Sequence, residues 1–330
     1  MRRRQFIALL GGTAVAPWLP ARAQVSAISM PIVTVINGRR ADAGAALANE
    51  FRKGLTQTGF VEGKNVLVEY HWLDGRYEEI HQILEDAIQR GVAVIATPAS
   101  TPATRTAKTA TATIPIVFGV GSDPVALGLV ASLANPGGNV TGINFFASEI
   151  DAKRLGLMHE LLPKARRIAV LVNPANPETA EPTSKSLAGA APALGLELIF
   201  HRASTPAEID AAFTAIAAER ADALFIAPDA FFASRVPQFV LLAARDRLPA
   251  SVFSSDVVAA GLLMSYGTSI ADVFRQVAIY TGSILKGAKP ADLPVLQSTR
   301  FEFIINLQTA RSLGLDVPPM LLATADQVIE

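Results

Sequence analysis

Small polar residues and glycines stand directly after the apolar segments of this chain, where they could bind a small charged molecule. Backbone N–H groups, hydroxyls and a carboxylate at such turns are suited to the carboxylate and amine groups of a ligand. These turns are therefore the first candidates for a binding site. The candidate residues are Asn37, Gly38, Ser100, Thr101, Gly121, Ser122, Asp123, Asn173 and Asp229.

Two of these turns could serve either of two roles. Ser100 and Thr101 precede Pro102 and predict a helix N-terminus, whose free N–H groups and positive dipole end suit a carboxylate. Ser100 could equally be an ordinary N-cap. Asp229 follows an apolar run directly, so its carboxylate could pair with a ligand amine or cap the next helix.

The glycines before Pro124 do not form a nucleotide-binding motif. The segment Gly-Val-Gly-Ser-Asp-Pro at 119–124 lacks the third glycine of a dinucleotide fingerprint and the Gly-Lys-Ser/Thr end of a P-loop. It predicts a strand-to-helix turn in which Asp123 caps a helix opened by Pro124. Contact of Ser122 or Asp123 with a ligand is the alternative.

Aromatic pairs accompany two of the polar turns. Phe145-Phe146 and Phe231-Phe232 could supply apolar walls for a ligand. Adjacent rings face different directions, so we expect at most one ring of each pair to line a site and the others to pack in the core.

No catalytic or metal-binding motif accompanies these turns. The four histidines, at 71, 81, 159 and 201, are scattered, and neither a His-Glu-x-x-His segment nor a Gly-x-Ser-x-Gly elbow occurs. The chain contains no cysteine, which excludes disulfides and thiolate sites. We expect no catalytic residue, no metal and no cofactor.

The elements that carry these turns alternate between strand and helix, twice. Apolar β-branched runs at 30–36, 66–70, 92–98 and 114–120 are separated by amphipathic helices, and the pattern restarts at 167–174, 196–202, 222–228 and 248–253. This alternation predicts an α/β fold of two doubly wound parallel-sheet lobes. Ligands bind outside the carboxyl ends of such strands, so two facing lobes would place the turns around one cleft.

The amino terminus has the features of an export signal. Three arginines, an apolar run to Leu19 and the Ala21-Arg22-Ala23 segment predict cleavage after Ala23. The Arg3-Arg4 pair resembles a twin-arginine signal, and the ordinary secretory route stays open. We expect a periplasmic monomer. The formal net charge of 0 argues against nucleic acid as a partner.

Four segments resemble the tryptophan/tyrosine-type substrate-binding proteins of ABC importers. These are 123–142 with its Asp-Pro-Val and Pro-Gly-Gly-Asn-Val-Thr-Gly parts, 165–178, 261–269 and 301–330. The resemblance covers roughly Pro31 to Glu330. It implies a type I periplasmic binding protein fold whose chain crosses between lobes three times.

The resemblance also implies where the lobes divide. With crossings near Phe145, Met264 and Gln297, lobe 1 would hold residues 29–145 plus 265–296, and lobe 2 would hold 146–264 plus 297–330. Tyr266 would then lie near a hinge, where its hydroxyl could reach the ligand.

The expected function is the capture of a small solute for import. An amino acid or related carboxylate would bind by lobe closure and pass to an ABC permease powered by a separate ATPase subunit. Arg39-Arg40 beside the first strand would admit a second anionic group. The alternatives are a periplasmic sensing input for a membrane receptor and, less favoured, an exported enzyme on the same scaffold.

Overall fold

The computed structural model describes two α/β lobes, each built around one sheet. The export signal expected at 1–23 lies outside the described residues. Those residues are 30–147, 150–254, 258–298 and 301–330.

The first lobe contains a six-stranded parallel sheet. Its strand order is β11-β5-β4-β3-β1-β2. Its inner strands are apolar and almost fully buried because helices cover both faces of the sheet. Its elements in chain order are β1 (Ile32–Asn37), α1 (Ala41–Gln57), β2 (Leu67–Trp72), α2 (Ile80–Gln89), β3 (Val94–Thr97), α3 (Thr101–Ala110), β4 (Ile116–Val120) and β5 (Val140–Asn144), joined later by α9 (Ile270–Leu285) and β11 (Leu296–Gln297).

The second lobe contains a seven-stranded sheet in the order β13-β12-β10-β9-β8-β6-β7. Of its strand pairs in the described residues, β10 with β12 is antiparallel and the others are parallel. Its elements are α4 (Asp151–Leu161), β6 (Arg167–Val172), α5 (Pro177–Leu194), β7 (Glu197–Arg202), α6 (Pro206–Ala218), β8 (Ala223–Ile226), α7 (Ala230–Ala233), α8 (Val236–Arg245), β9 (Ala250–Val252), β10 (Met264–Thr268), β12 (Phe301–Asn306), α10 (Leu307–Leu313), α11 (Pro319–Thr324) and β13 (Gln327–Ile329).

Helix α9 packs on the first lobe although the strand before it belongs to the second sheet. Gly54 of α1 makes the close approach possible, because a Cβ there would lie 2.3 Å from the carbonyl oxygen of Arg275. Strand β10 pairs with β9 and β12, so the chain leaves the second sheet after Thr268. The boundary expected at Met264 therefore falls inside a strand of the second sheet.

The segment after Asp123 is a turn and not the helix expected from Pro124. The Asp123 carboxylate accepts a hydrogen bond from the Val125 N–H at 2.8 Å, as in a helix cap. The turn ends at Gly128, whose φ of +67° is left-handed. Bends and a second turn at residues 138–139 then lead to β5.

Within the described ranges, no helix is long and apolar enough to cross a membrane.

Candidate ligand-binding site

A cleft of about 420 Å³, counted out to its opening, lies between the two lobes. This volume includes solvent at the mouth, and the enclosed part is far smaller, so the two lobes lie close together across the cleft. Both lobes contribute to it, and the residues come from the turns at the carboxyl ends of the strands, as open parallel sheets require. The lining residues are Arg39, Ala99, Thr101, Gly121, Phe145, Ala147, Asn176, Thr179, Pro228, Asp229, Ala230, Phe253 and Ile270.

The first lobe brings a cation and a helix N-terminus to the cleft. Arg39 follows β1 and is buried, and its guanidinium is suited to a carboxylate. Thr101 is the first residue of α3, so the positive end of this helix borders the same space. Ala99 before it has a φ of +51°, a strained conformation for a residue other than glycine. Together these groups favour a ligand with a negative charge.

Apolar residues from both sides form the remaining wall. Phe145 follows β5, and Phe253 follows β9, at the ends of one strand of each sheet. Gly121 lets Phe145 and Ala147 approach, because a Cβ at Gly121 would lie 2.7 Å from the Ala147 Cβ. Phe145 but not Phe146 lines the cleft, and Phe231 and Phe232 are buried in the second lobe.

Asp229 is the carboxylate on the second-lobe side of the cleft. Its Oδ1 accepts hydrogen bonds from Asn173 Nδ2 at 3.0 Å and from the N–H groups of Phe231 and Phe232, so it caps α7. Its Oδ2 accepts from Asn176 Nδ2 at 2.9 Å. Burial raises the pKa of Asp229 above its usual 3.8, although these hydrogen bonds act to lower it.

Direct contacts hold the lobes together around the cleft. The Tyr77 hydroxyl of the first lobe donates to Asp229 Oδ2 at 3.4 Å, and burial together with Asp229 raises the pKa of Tyr77 well above 10.0, so the hydroxyl stays protonated. Further interlobe contacts are the Arg105–Glu178 and Asp74–Arg235 ion pairs and hydrogen bonds from the Ser122 hydroxyl to the Glu178 carbonyl and from the Arg40 N–H to the Ser234 hydroxyl.

Of the residues expected to form the site, the structure brings Thr101, Gly121 and Asp229 to the cleft lining. Asn37 and Asn173 do not line the cleft, but each contacts a residue that does. Asn37 donates to the Pro98 carbonyl oxygen at 2.6 Å and accepts from the Arg39 N–H, so it shapes the loop that carries Arg39. Asn173 supports Asp229 in the same way.

Four expected residues have other surroundings. A Cβ on Gly38 would lie 2.8 Å from the Tyr77 hydroxyl oxygen and 3.1 Å from the Ala230 Cβ, so Gly38 allows the lobes to approach. Ser122 bonds across the lobes, Ser100 is buried beside the lining residue Thr101, and Asp123 is exposed in its turn.

Tyr266 does not lie at the cleft. Its ring packs with Phe301 and Phe303 on the next strand, with centroids 6.2 and 6.4 Å away. Burial raises its pKa, with a smaller contribution from Asp326. In this arrangement the Tyr266 ring packs against β12 and is not part of the cleft lining.

The lining also contains Arg39 and Asn176, which belong to turns that the sequence predicts at the cleft. Arg39 is a basic residue directly after a buried strand, and Asn176 precedes Pro177 at a helix start. Thr179, Phe253 and Ile270 carry no comparable signal, because only the folded arrangement brings them together. Among the residues that the structure covers, no group of three histidine, aspartate or glutamate side chains could hold a metal ion.

Solved structures share this fold. A conserved domain protein from Vibrio cholerae has a TM-score of 0.82 at 29% identity over 91% of this chain and 100% of its own. An ABC domain from Streptococcus pneumoniae in complex with L-Trp has a TM-score of 0.80 at 24% identity over 91% and 100%. The ligand-free, open structure of a substrate-binding protein with adhesive properties from Clostridium difficile has 0.63 at 25% identity over 91% and 99%.

Sequence comparison leads to the same group of proteins. A tyrosine-binding protein of Clostridioides difficile is 29% identical over 269 residues, which are 80% of this chain and 75% of the relative. The model of the ABC transporter substrate-binding protein family matches residues 32–329. Since that match includes both lobes, this chain belongs to the ABC transporter substrate-binding proteins, with their type I periplasmic binding fold.

Proposed function

We propose that this protein captures a small carboxylate, an amino acid with an aromatic side chain in the first instance, and delivers it to an ABC permease. The observation that carries the proposal is the cleft itself. A buried arginine and a helix N-terminus face it from one lobe, Asn176 and Asp229 border it from the other, and Phe145 and Phe253 form its apolar wall. The likeness to a tyrosine-binding protein supports the aromatic side chain.

In this proposal each wall has a separate task. Arg39 and the N-terminus of α3 bind the ligand carboxylate, because both offer positive potential and N–H donors. The rings of Phe145 and Phe253 pack against the ligand side chain. Asn176, whose amide is held by Asp229, satisfies a remaining polar atom of the ligand, which would otherwise be buried without a partner.

Lobe closure couples binding to delivery. The closed form gains contacts to ligand from both lobes, so ligand shifts the population toward it. The permease, powered by a separate ATPase subunit, would recognise that closed form. The export signal would place the mature protein in the periplasm as a monomer.

A thermal-shift screen of residues 24–330 tests the proposal. The compounds are L-tyrosine, L-tryptophan, L-leucine, aromatic acids without the amine, and small dicarboxylates. A ligand at a hundredfold its Kd should stabilise the protein by about 2.7 kcal/mol. We expect stabilisation by the aromatic amino acids and little by the dicarboxylates. Absence of any shift with the aromatic compounds would refute the proposed ligand class.

A further inference from the structure

Asp229 is already engaged by the protein's own donors. Its two oxygens accept five hydrogen bonds from the described residues, those of Asn173, Asn176, Tyr77, Phe231 and Phe232. A carboxylate offers about four lone-pair positions. An incoming ligand amine would therefore have to displace a protein donor from Asp229.

Asn176 stands at an N-cap position but does not cap its helix. Residues of this type usually accept a hydrogen bond from the second or third N–H of the helix, here Glu178 or Thr179. In the described part of the chain, the Asn176 side chain makes no such bond to α5. Its Nδ2 instead donates to Asp229 Oδ2 at 2.9 Å. The Asn176 side chain therefore bonds to the Asp229 carboxylate and not to the N-terminus of α5.

The contact with Asp229 determines which way the Asn176 amide faces. An amide turned by 180° would set its oxygen against a carboxylate oxygen, so Nδ2 must face Asp229. The carbonyl oxygen Oδ1 is then left on the other arm of the amide. It is buried and has no hydrogen-bond partner among the residues that the structure describes. Asn176 as a whole is 6% exposed and lines the cleft.

We propose that Asn176 Oδ1 accepts a hydrogen bond from an N–H or O–H group of the bound ligand, and that Asp229 is a positioning residue that holds the Asn176 amide. A buried acceptor without a partner is unfavourable, and a ligand donor would satisfy it. This inference rests on the proposed binding function and deepens it. It names the ligand as a carboxylate with a neighbouring donor, either amino or hydroxy, because a neutral oxygen accepts from both.

Titration calorimetry with three related probes tests this on residues 24–330. The probes are L-tyrosine, 3-(4-hydroxyphenyl)lactate, which has a hydroxyl in place of the amine, and 3-(4-hydroxyphenyl)propionate, which has neither. We expect the wild type to bind the first two at least about tenfold more tightly than the third. In Asn176→Ala this preference should vanish, while the affinity for the propionate stays within about threefold of wild type.

Two further variants separate the roles of the residues. Asn173→Ala is the matched control, because Asn173 bonds to Asp229 Oδ1 without lining the cleft. Oδ1 still accepts from the N–H groups of Phe231 and Phe232 in this variant, so Asp229 stays in place and the preference for a donor should remain. Asp229→Asn should weaken both the amino and the hydroxy probe, because the Asn176 amide is no longer oriented. Binding of the propionate shows in each case that the variant is folded.

The outcomes are distinct. If Asn176→Ala keeps the preference while Asp229→Asn loses affinity for L-tyrosine alone, Asp229 binds the amine directly and the inference is wrong. If the wild type binds the propionate as tightly as the other two, no donor is recognised and the inference is also wrong. If none of the three binds the wild type, the proposed function fails for this ligand class and the inference falls with it.

Discussion

Two ion pairs join the lobes at separate places beside the cleft, and their removal should weaken ligand binding without touching the ligand. Asp74 pairs with Arg235, whose guanidinium also lies 4.9 Å from the centre of the Phe231 ring. Arg105 pairs with Glu178. The perturbation is Asp74→Asn together with Glu178→Gln. Asparagine is chosen because Asp74 has a φ of +52°, which asparagine tolerates.

The magnitude follows from the exposure of the pairs. The side chains of Asp74 and Arg235 are 25% and 12% exposed, so this charge-assisted contact is worth about 1–2 kcal/mol. Arg105 and Glu178 are 51% and 17% exposed, and this pair contributes about 0.2–1 kcal/mol. Since about 1.4 kcal/mol is a factor of ten, the ratio of closed to open protein should fall about 10- to 100-fold in the double variant.

The assay is calorimetric titration combined with small-angle X-ray scattering of the ligand-free protein. If ligand binds the closed form, its apparent affinity falls by up to the same factor, mainly through faster dissociation. The matched control is Glu69→Gln with Glu197→Gln, which removes two ion pairs that lie within single lobes. We expect the control to bind like wild type. A double variant with wild-type affinity and an unchanged radius of gyration would show that these ion pairs do not stabilise the closed form.

Two predictions concern the fold. Gly54→Val should lower the free energy of unfolding by about 1–3 kcal/mol in chemical denaturation, because its Cβ would meet the Arg275 carbonyl oxygen and separate α9 from α1. Gly156→Ala is the control: it has open space around it and should raise the free energy of unfolding by up to about 1 kcal/mol. Equal effects of the two substitutions would contradict this packing. Burial lowers the pKa of His71 below 6.5, partly opposed by Glu69, so the native state binds fewer protons than the unfolded chain and loses stability as pH falls below about 6.5. The difference in unfolding free energy between wild type and His71→Asn should therefore shrink on going from about pH 7.5 to about pH 5, and a constant difference would contradict it.

Much of the fold follows from local patterns in the sequence. The stripe of Leu47, Phe51 and Leu55 identifies the buried face of α1, and the apolar runs identify most parallel strands. Five of the described strands are not among those that local patterns predict. β5 contains Gly142, β10 contains Gly267, β11 and β13 have only two and three residues, and β12 pairs with β10 and β13.

The site could be predicted only to the level of the turn. Strand ends predicted the loops that carry Thr101 and Gly121, because the chain topology alone directs those loops to the cleft. Which side chain of a loop enters the cleft depends on its partners. Asn37 turns to the Pro98 carbonyl, and Tyr266 turns to the aromatic residues of β12, so neither reaches the lining. Asn176 could not be distinguished from an ordinary N-cap without the position of Asp229.

A crystal structure of residues 24–330 grown with L-tyrosine would show whether the cleft binds this ligand. We expect one ligand per chain in the cleft, its carboxylate beside Arg39 and the α3 N-terminus, its amine at Asn176 and its ring against Phe145 and Phe253. A ligand bound elsewhere on the protein, or an unoccupied cleft at a saturating concentration, would contradict this expectation.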